Sequence, residues 1–195
     1  MKNEKPSTRD RILNTTLDLL QSGGGGAVRM SDIASKVGIS RQALYLHFPN
    51  RADLLVAASR HVDAENEIDR RLVPSRTATT GRERLDAWIE AFGNYIPVIH
   101  GVASALLAMK DTDKAAMTAW NDRMLAVREG CAAAVDALAN DDELTASMTR
   151  DEATDWLWTL LAVRNWEQLC RECGWSQDRY VEVMQQTAAR TLTDG

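Results

Sequence analysis

Between Ser31 and Asn50 a glycine and a proline cut the chain into two short pieces, and no other feature constrains the fold as much. In the first piece Ile33, Ala34 and Val37 recur at helical spacing and face inward. Gly38 breaks that helix, since glycine takes the positive φ that a tight turn needs. Ser40 is placed to cap a second helix from Arg41 to about Phe48, and Pro49 stops it. Two short helices joined by a tight glycine turn are the physical core of a helix-turn-helix. Ala34 is small where the helices approach closely, and Ile39, Leu44 and Phe48 supply the faces that lock one helix onto the other. On a helical wheel Leu44 and Phe48 point inward together, Gln42, Ala43 and Leu46 point away, and Arg41 sits exposed at the N-terminal end.

The rest of the chain reads as helix too. Among 195 residues only four are proline, and no segment shows the β-branched alternation of strands. Ser7 and Asp10, at capping-box spacing, open a helix to Gln21 that the glycine run 23–26 ends. Asn50 caps a helix carried toward Leu72, with Asp53 three residues on; residues 73–81 read as a loop. Helices follow over 82–96, 98–109 and 112–138, then one from Thr149 and Glu152 to Cys173 with Gly174 at its C-terminal cap, and a last one from Ser176 to about Leu192. The expected fold is all-α, with about nine helices. A three-helix helix-turn-helix DNA-binding domain over residues 1–52 precedes a larger helical effector-binding and dimerisation domain over 53–195.

The net charge of −5 is a misleading average. Residues 1–60 hold nine Lys and Arg against five Asp and Glu, which leaves fourteen basic and twenty-three acidic residues in the remainder. A basic head on an acidic body suggests that only the head meets a polyanion. No apolar run approaches the ~20 residues needed to span a bilayer. The start, MKNEKPSTRD, lacks the apolar core of a signal peptide. Three cysteines do not make a disulfide framework, so a reduced, cytoplasmic setting is expected.

The helix-turn-helix carries chemistry in its second helix, whose N-terminal part enters the major groove of double-stranded DNA. Arg pairs with guanine edges and Gln with adenine edges, whereas Ala43 and Leu46 offer only apolar contact, for instance to a thymine methyl. The stretch RMSDIASKVGISRQALYLHFPNRADLL, from Arg29 to Leu55, resembles the DNA-binding segment of the TetR/AcrR family of transcriptional regulators. The residues that carry the resemblance are Asp32-Ile33-Ala34, Val37-Gly38-Ile39-Ser40, Leu44-Tyr45-x-His47-Phe48 and Asn50-Arg51-x-x-Leu54-Leu55, with RDRILNTTLDLL similar to that family's first helix. The resemblance implies that Arg41 and Gln42 read bases and that Tyr45 and His47 hold phosphates. It also implies phosphate contacts from Ser31, Ser40 and Arg51 at helix N-termini, where free backbone N–H groups favour anions. Lys2, Lys5 and Arg9 are placed to follow the neighbouring groove. The chain departs from the family pattern at Thr16, where Ala is common, at Gly25, Gly26 and Ala27, where an aromatic is common, and at Leu46, where relatives are bulkier or polar.

Beyond residue 60 the sequence holds all six tryptophans. Trp and Met make adaptable pocket linings, and Trp faces suit a cationic ligand. By resemblance the middle helices enclose an effector cavity, which makes Trp88, Phe92, Met109, Trp120 and Met124 candidates to line it; a plain hydrophobic core is the competing reading. The same resemblance makes the last helices a dimer interface, with Trp158, Ala162, Trp166 and Leu169 on one and Val181, Met184 and Ala188 on the next. A homodimer would present two heads to a palindromic site. The helix from Asn50 to Leu72 is the expected lever between head and body. Enzyme readings find little support. Cys170-x-x-Cys173 has a redox spacing but no strand before it, a structural zinc site needs four ligands, and no P-loop, nucleophile elbow or paired-carboxylate motif is present. No catalytic residue, metal or cofactor is expected. The sequence therefore points to a ligand-responsive repressor. An activator or architectural binder without effector is one alternative, and a helical ligand-binding protein or enzyme with a vestigial helix-turn-helix is the other.

Overall fold

A computed structural model describes residues 6–22 and 28–194 of the chain. Lys2, Lys5, the glycine run and Ala27 lie outside the described residues. Among those described there is no strand, and one isolated antiparallel bridge joins Leu144 to Thr193. The all-α expectation holds, but the helices among the described residues number more than nine because two long stretches are broken and a short helix forms where a loop was expected. No single helix among the described residues is long and apolar enough to cross a membrane.

Contacts divide the chain into two compact units. The first is residues 1–66 with 99–123, and the second is 67–98 with 124–195. In the first unit α1 (Thr8–Ser22), α2 (Met30–Val37), α3 (Arg41–His47) and α4 (Arg51–Glu65) follow one another. Their starts are local chemistry. The Ser7 hydroxyl accepts from the Asp10 N–H at 3.1 Å, while the Asp10 carboxylate accepts from the Ser7 N–H at 3.2 Å. Ile12, Leu13 and Leu20 of α1, Ile33, Ala34 and Val37 of α2, Leu44 of α3 and Leu54, Leu55 and Ala58 of α4 share one core with Val102, Leu106, Met109, Ala116 and Ala119. Thr16 stands fully buried in this core, and its hydroxyl donates to the Ile12 carbonyl at 2.8 Å, which satisfies the polar atom where Ala would have none.

The segments 99–109 and 114–123 of this unit belong to α8 (Ile96–Met109) and α9 (Lys114–Asn140). Pro97 falls in the first turn of α8, where its missing N–H costs nothing, so the proline expected to end one helix instead begins the next. The preceding helix, α7 (Gly81–Gly93), starts at Thr80, whose hydroxyl and the Glu83 carboxylate form a full capping box one step before the expected start.

The expected helix from Asn50 to Leu72 stops at Glu65. Glu67 lies in the left-handed region at φ 51°, and two single-turn helices follow, α5 (Ile68–Arg71) and α6 (Val73–Thr77), the latter in a stretch expected to be loop. In the second unit α7 packs against α12 (Gln177–Leu192). Gln185 of α12 donates to the Asp86 carbonyl at 3.0 Å, and Gln177 donates to the Gly93 carbonyl at 3.0 Å. Trp88 lies against Gly130 so closely that a Cβ there would collide with the indole. The helix expected to run from Thr149 to Cys173 is three pieces: α10 (Arg150–Leu160), α11 (Val163–Trp166) and a π-helical stretch Glu167–Glu172. Ala162 leaves helical geometry at ψ 137°, and the Asn165 side chain donates to the freed carbonyls of Thr159 and Leu160.

Candidate nucleic-acid interface

The reading helix is fixed by its two ends and its inner face. At the end of α2, Gly38 takes φ 77°, ψ 37° and donates to the Ala34 and Ser35 carbonyls; Ile39 also donates to Ala34. This glycine cap lets the chain reverse at once into α3. Arg11 of α1 donates to the Val37 carbonyl and so holds the end of α2 from outside the turn. Ser40 then caps α3, its hydroxyl accepting from the Ala43 N–H at 3.0 Å. Leu44 and Phe48 are buried, and Phe48 turns extended because Pro49 follows it. The Arg9 guanidinium lies over the Phe48 ring, 5.0 Å from its centre.

What α3 leaves outside is a contiguous set. Arg41, Gln42, Tyr45, Leu46 and His47 are exposed, with Ala43 half-buried among them. Tyr45 could have served as a core aromatic, but it is 49% exposed. Leu46, at 85%, is the most exposed large hydrophobic side chain among the described residues. Ser31 stands in the first turn of α2, half-buried, its hydroxyl 3.2 Å from the Asp32 carboxylate. Arg29, at the cap position of α2, makes no side-chain capping bond.

Arg51 is placed differently. Its side chain is 20% exposed and turned inward. Nη1 donates to both carboxylate oxygens of Asp113 at 2.8 and 2.6 Å, and Nε donates to the Val28 carbonyl just before α2. Nη2 is buried without a partner, so this guanidinium is enclosed rather than open to a phosphate, and the group expected to grip DNA acts as an internal clamp. Asp113 also accepts from the Ala115 and Ala116 N–H groups and thereby caps α9. Burial alone would raise the Asp113 carboxyl, but Arg51 and these two N–H groups outweigh it and hold the group below its ordinary range. Two more pairs join α4 to α9 in step with this one, Arg60 with Asp122 and Asp63 with Arg123. None of these partners was legible in sequence, because each pair is 60 or 62 residues apart.

The effector candidates are divided between the two units. Met109 and Trp120 pack in the core of the first unit, while Trp88, Phe92 and Met124 belong to the second. Trp88 and Phe92 are buried and stack at 5.5 Å with their planes 6° apart. In the second unit Trp166, Val181, Met184 and Ala188 are already covered by the same chain, whereas Trp158, Ala162 and Leu169 are half-buried. The break at Ala162 means that Trp158, Ala162, Trp166 and Leu169 do not form a continuous helical stripe. Cys170 is half-buried and Cys173 exposed, and neither is in a disulfide. Among the described residues no three His, Cys, Asp or Glu side chains cluster as metal ligands would.

Comparison with known proteins bears on the N-terminal segment and on the fold. Residues 12–58 match the family model described as bacterial regulatory proteins, tetR family. Over 57 residues the chain is 40% identical to the nucleoid occlusion factor SlmA of Marinobacter nauticus, a match spanning 29% of each chain. Over 89 residues it is 35% identical to the transcriptional activator FasR of Mycolicibacterium smegmatis, spanning 45% of this chain and 40% of that one. The matches thus span less than half the length of these curated relatives. A solved structure of a transcriptional regulator from Saccharomonospora viridis in complex with choline superposes with a TM-score of 0.72, covering 96% of this chain and 98% of that one at 22% identity. This last likeness establishes the fold over nearly the whole length.

Proposed function

On the premise that residues 12–58 are a tetR-family DNA-binding domain, we propose that the chain is a sequence-specific transcriptional repressor, released from DNA by a small-molecule effector. It acts as a homodimer on a palindromic operator, and it is not an enzyme. The observation that carries this reading is the outer face of α3. Arg41, Gln42, Tyr45 and His47 stand exposed together on a helix whose opposite side is sealed by Leu44 and Phe48. Arg41 and Gln42 present bidentate groups to guanine and adenine edges, Tyr45 and His47 grip the backbone, and the exposed start of α3 at Ser40 offers N–H groups to a phosphate. Residues 1–52 supply DNA binding and 53–195 effector binding and dimerisation. The choline held by the Saccharomonospora viridis neighbour supports a small-molecule effector for a body of this shape. Effector binding acts by population shift, and the coupling equals the ligand's difference in affinity between the DNA-competent and released states.

The test is selection of a binding site from random duplexes, followed by a salt titration. A palindrome should emerge, and the logarithm of affinity should fall with the logarithm of salt by about 0.9 per phosphate contacted. Ala at Arg41 and Gln42 should relax base preference while keeping the salt slope. Binding without salt dependence, or without any preferred sequence, would reject the proposal.

A further inference from the structure

We propose that Leu46 is a specificity-determining residue that reads the C5-methyl group of a thymine in each operator half-site, an inference that rests on the DNA-binding reading above. A single exposed leucine on a protein surface is ordinary. This one is 85% exposed in the last turn of a seven-residue helix, and it contributes nothing to the core that Leu44 and Phe48 close. It lies one turn beyond Gln42, on the same side of the helix as that base-reading candidate.

Leucine has no donor or acceptor. It can neither hold a phosphate nor distinguish bases by hydrogen bonds. Among the groups that the four base pairs present in the major groove, only the thymine methyl is apolar. Burying Leu46 against that methyl removes two apolar surfaces from water, whereas burying it against a bare cytosine edge leaves an amino group without a partner. Ala43, half-buried three residues earlier, adds a second small apolar surface beside it. The face therefore divides its labour. Arg41 and Gln42 read by hydrogen bond, and Leu46 reads by methyl.

The experiment replaces each thymine of the selected operator in turn by deoxyuridine. This removes the methyl and leaves every hydrogen-bonding group in place. Affinity is measured for the unmodified chain, for Leu46→Ala and for Leu46→Met; melting temperature confirms that the exposed substitutions leave the fold intact. At one or two positions per half-site, loss of the methyl should weaken the unmodified chain about 3- to 10-fold. Leu46→Ala should bind thymine and uracil operators equally, and Leu46→Met should restore most of the discrimination. If uracil weakens the Ala variant as much as the unmodified chain, or weakens neither, the methyl reading is overturned while DNA binding stands. A chain that selects no operator at all overturns both.

Discussion

Leu44 does more for the reading head than any residue that would touch DNA. It is the one fully buried side chain within the seven residues of α3, so the helix's own grip on the core beneath it rests on this residue, with the Ser40 cap and Phe48 at its ends. Leu44→Ala should cost about 2–5 kcal/mol of stability, read as a lower denaturation midpoint, and should weaken DNA binding on every sequence alike. Cysteine reactivity follows the same logic of burial. Burial pushes the Cys131 thiol up to about 12, although the neighbouring Trp88 side chain and Arg128 work against it. Burial raises Cys170 as well, whereas Cys173 is exposed. An alkylating reagent near pH 8 should therefore label the native chain at Cys173 first and leave Cys131 untouched until the chain is denatured. Rapid labelling of Cys131 in the native state would contradict its placement.

At the scale of elements, the clamp from α4 to α9 makes stability depend on acid. Asp113 titrates below its ordinary value of 3.8 in the folded chain. The stabilisation it gives is complete above that ordinary value and is lost as pH falls through the lower, folded one. Removing the partner from this mostly enclosed pair should cost about 1–3 kcal/mol at neutral pH. Asp113→Asn should accordingly lower the urea midpoint at pH 7 and converge with the unmodified chain at the acid end; a constant difference across that range would show that Asn disturbs packing instead. The same region shows what sequence could and could not reveal. Ser7, Gly38, Ser40, Asn50 and Thr149 mark boundaries through bonds to residues three or four positions away, so they are legible locally. The break at Glu67 has no glycine or proline to announce it, and neither does the break at Ala162. Thr80 and Glu83 form a box that the sequence did contain, one residue before the expected start. Arg51 looked like a free cation because its partner lies 62 positions away. The outward placement of Arg41, Gln42 and Leu46, by contrast, followed from the helical period once Leu44 and Phe48 were taken as inward, whereas Tyr45, an aromatic that the period alone does not keep out of the core, is exposed and Ala43 is half-buried.

At the scale of the molecule, charge is sorted by task. The basic surplus of residues 1–60 accompanies the reading helix, while the acidic excess lies in the rest of the chain, where it discourages non-specific contact with nucleic acid. Residues 99–123 nevertheless belong by contact to the first unit, and three of their acidic or basic side chains, Asp113, Asp122 and Arg123, are partners of α4. That has a practical consequence for anyone who would recombine this protein. A chimera that grafts residues 1–66 onto a foreign body leaves Arg51, Arg60 and Asp63 without their counterparts and should melt early. Carrying 99–123 along with the graft should restore it. Among homologues, positions 51 and 113, 60 and 122, and 63 and 123 should accordingly mutate in step, so the inheritable module is discontinuous in the chain.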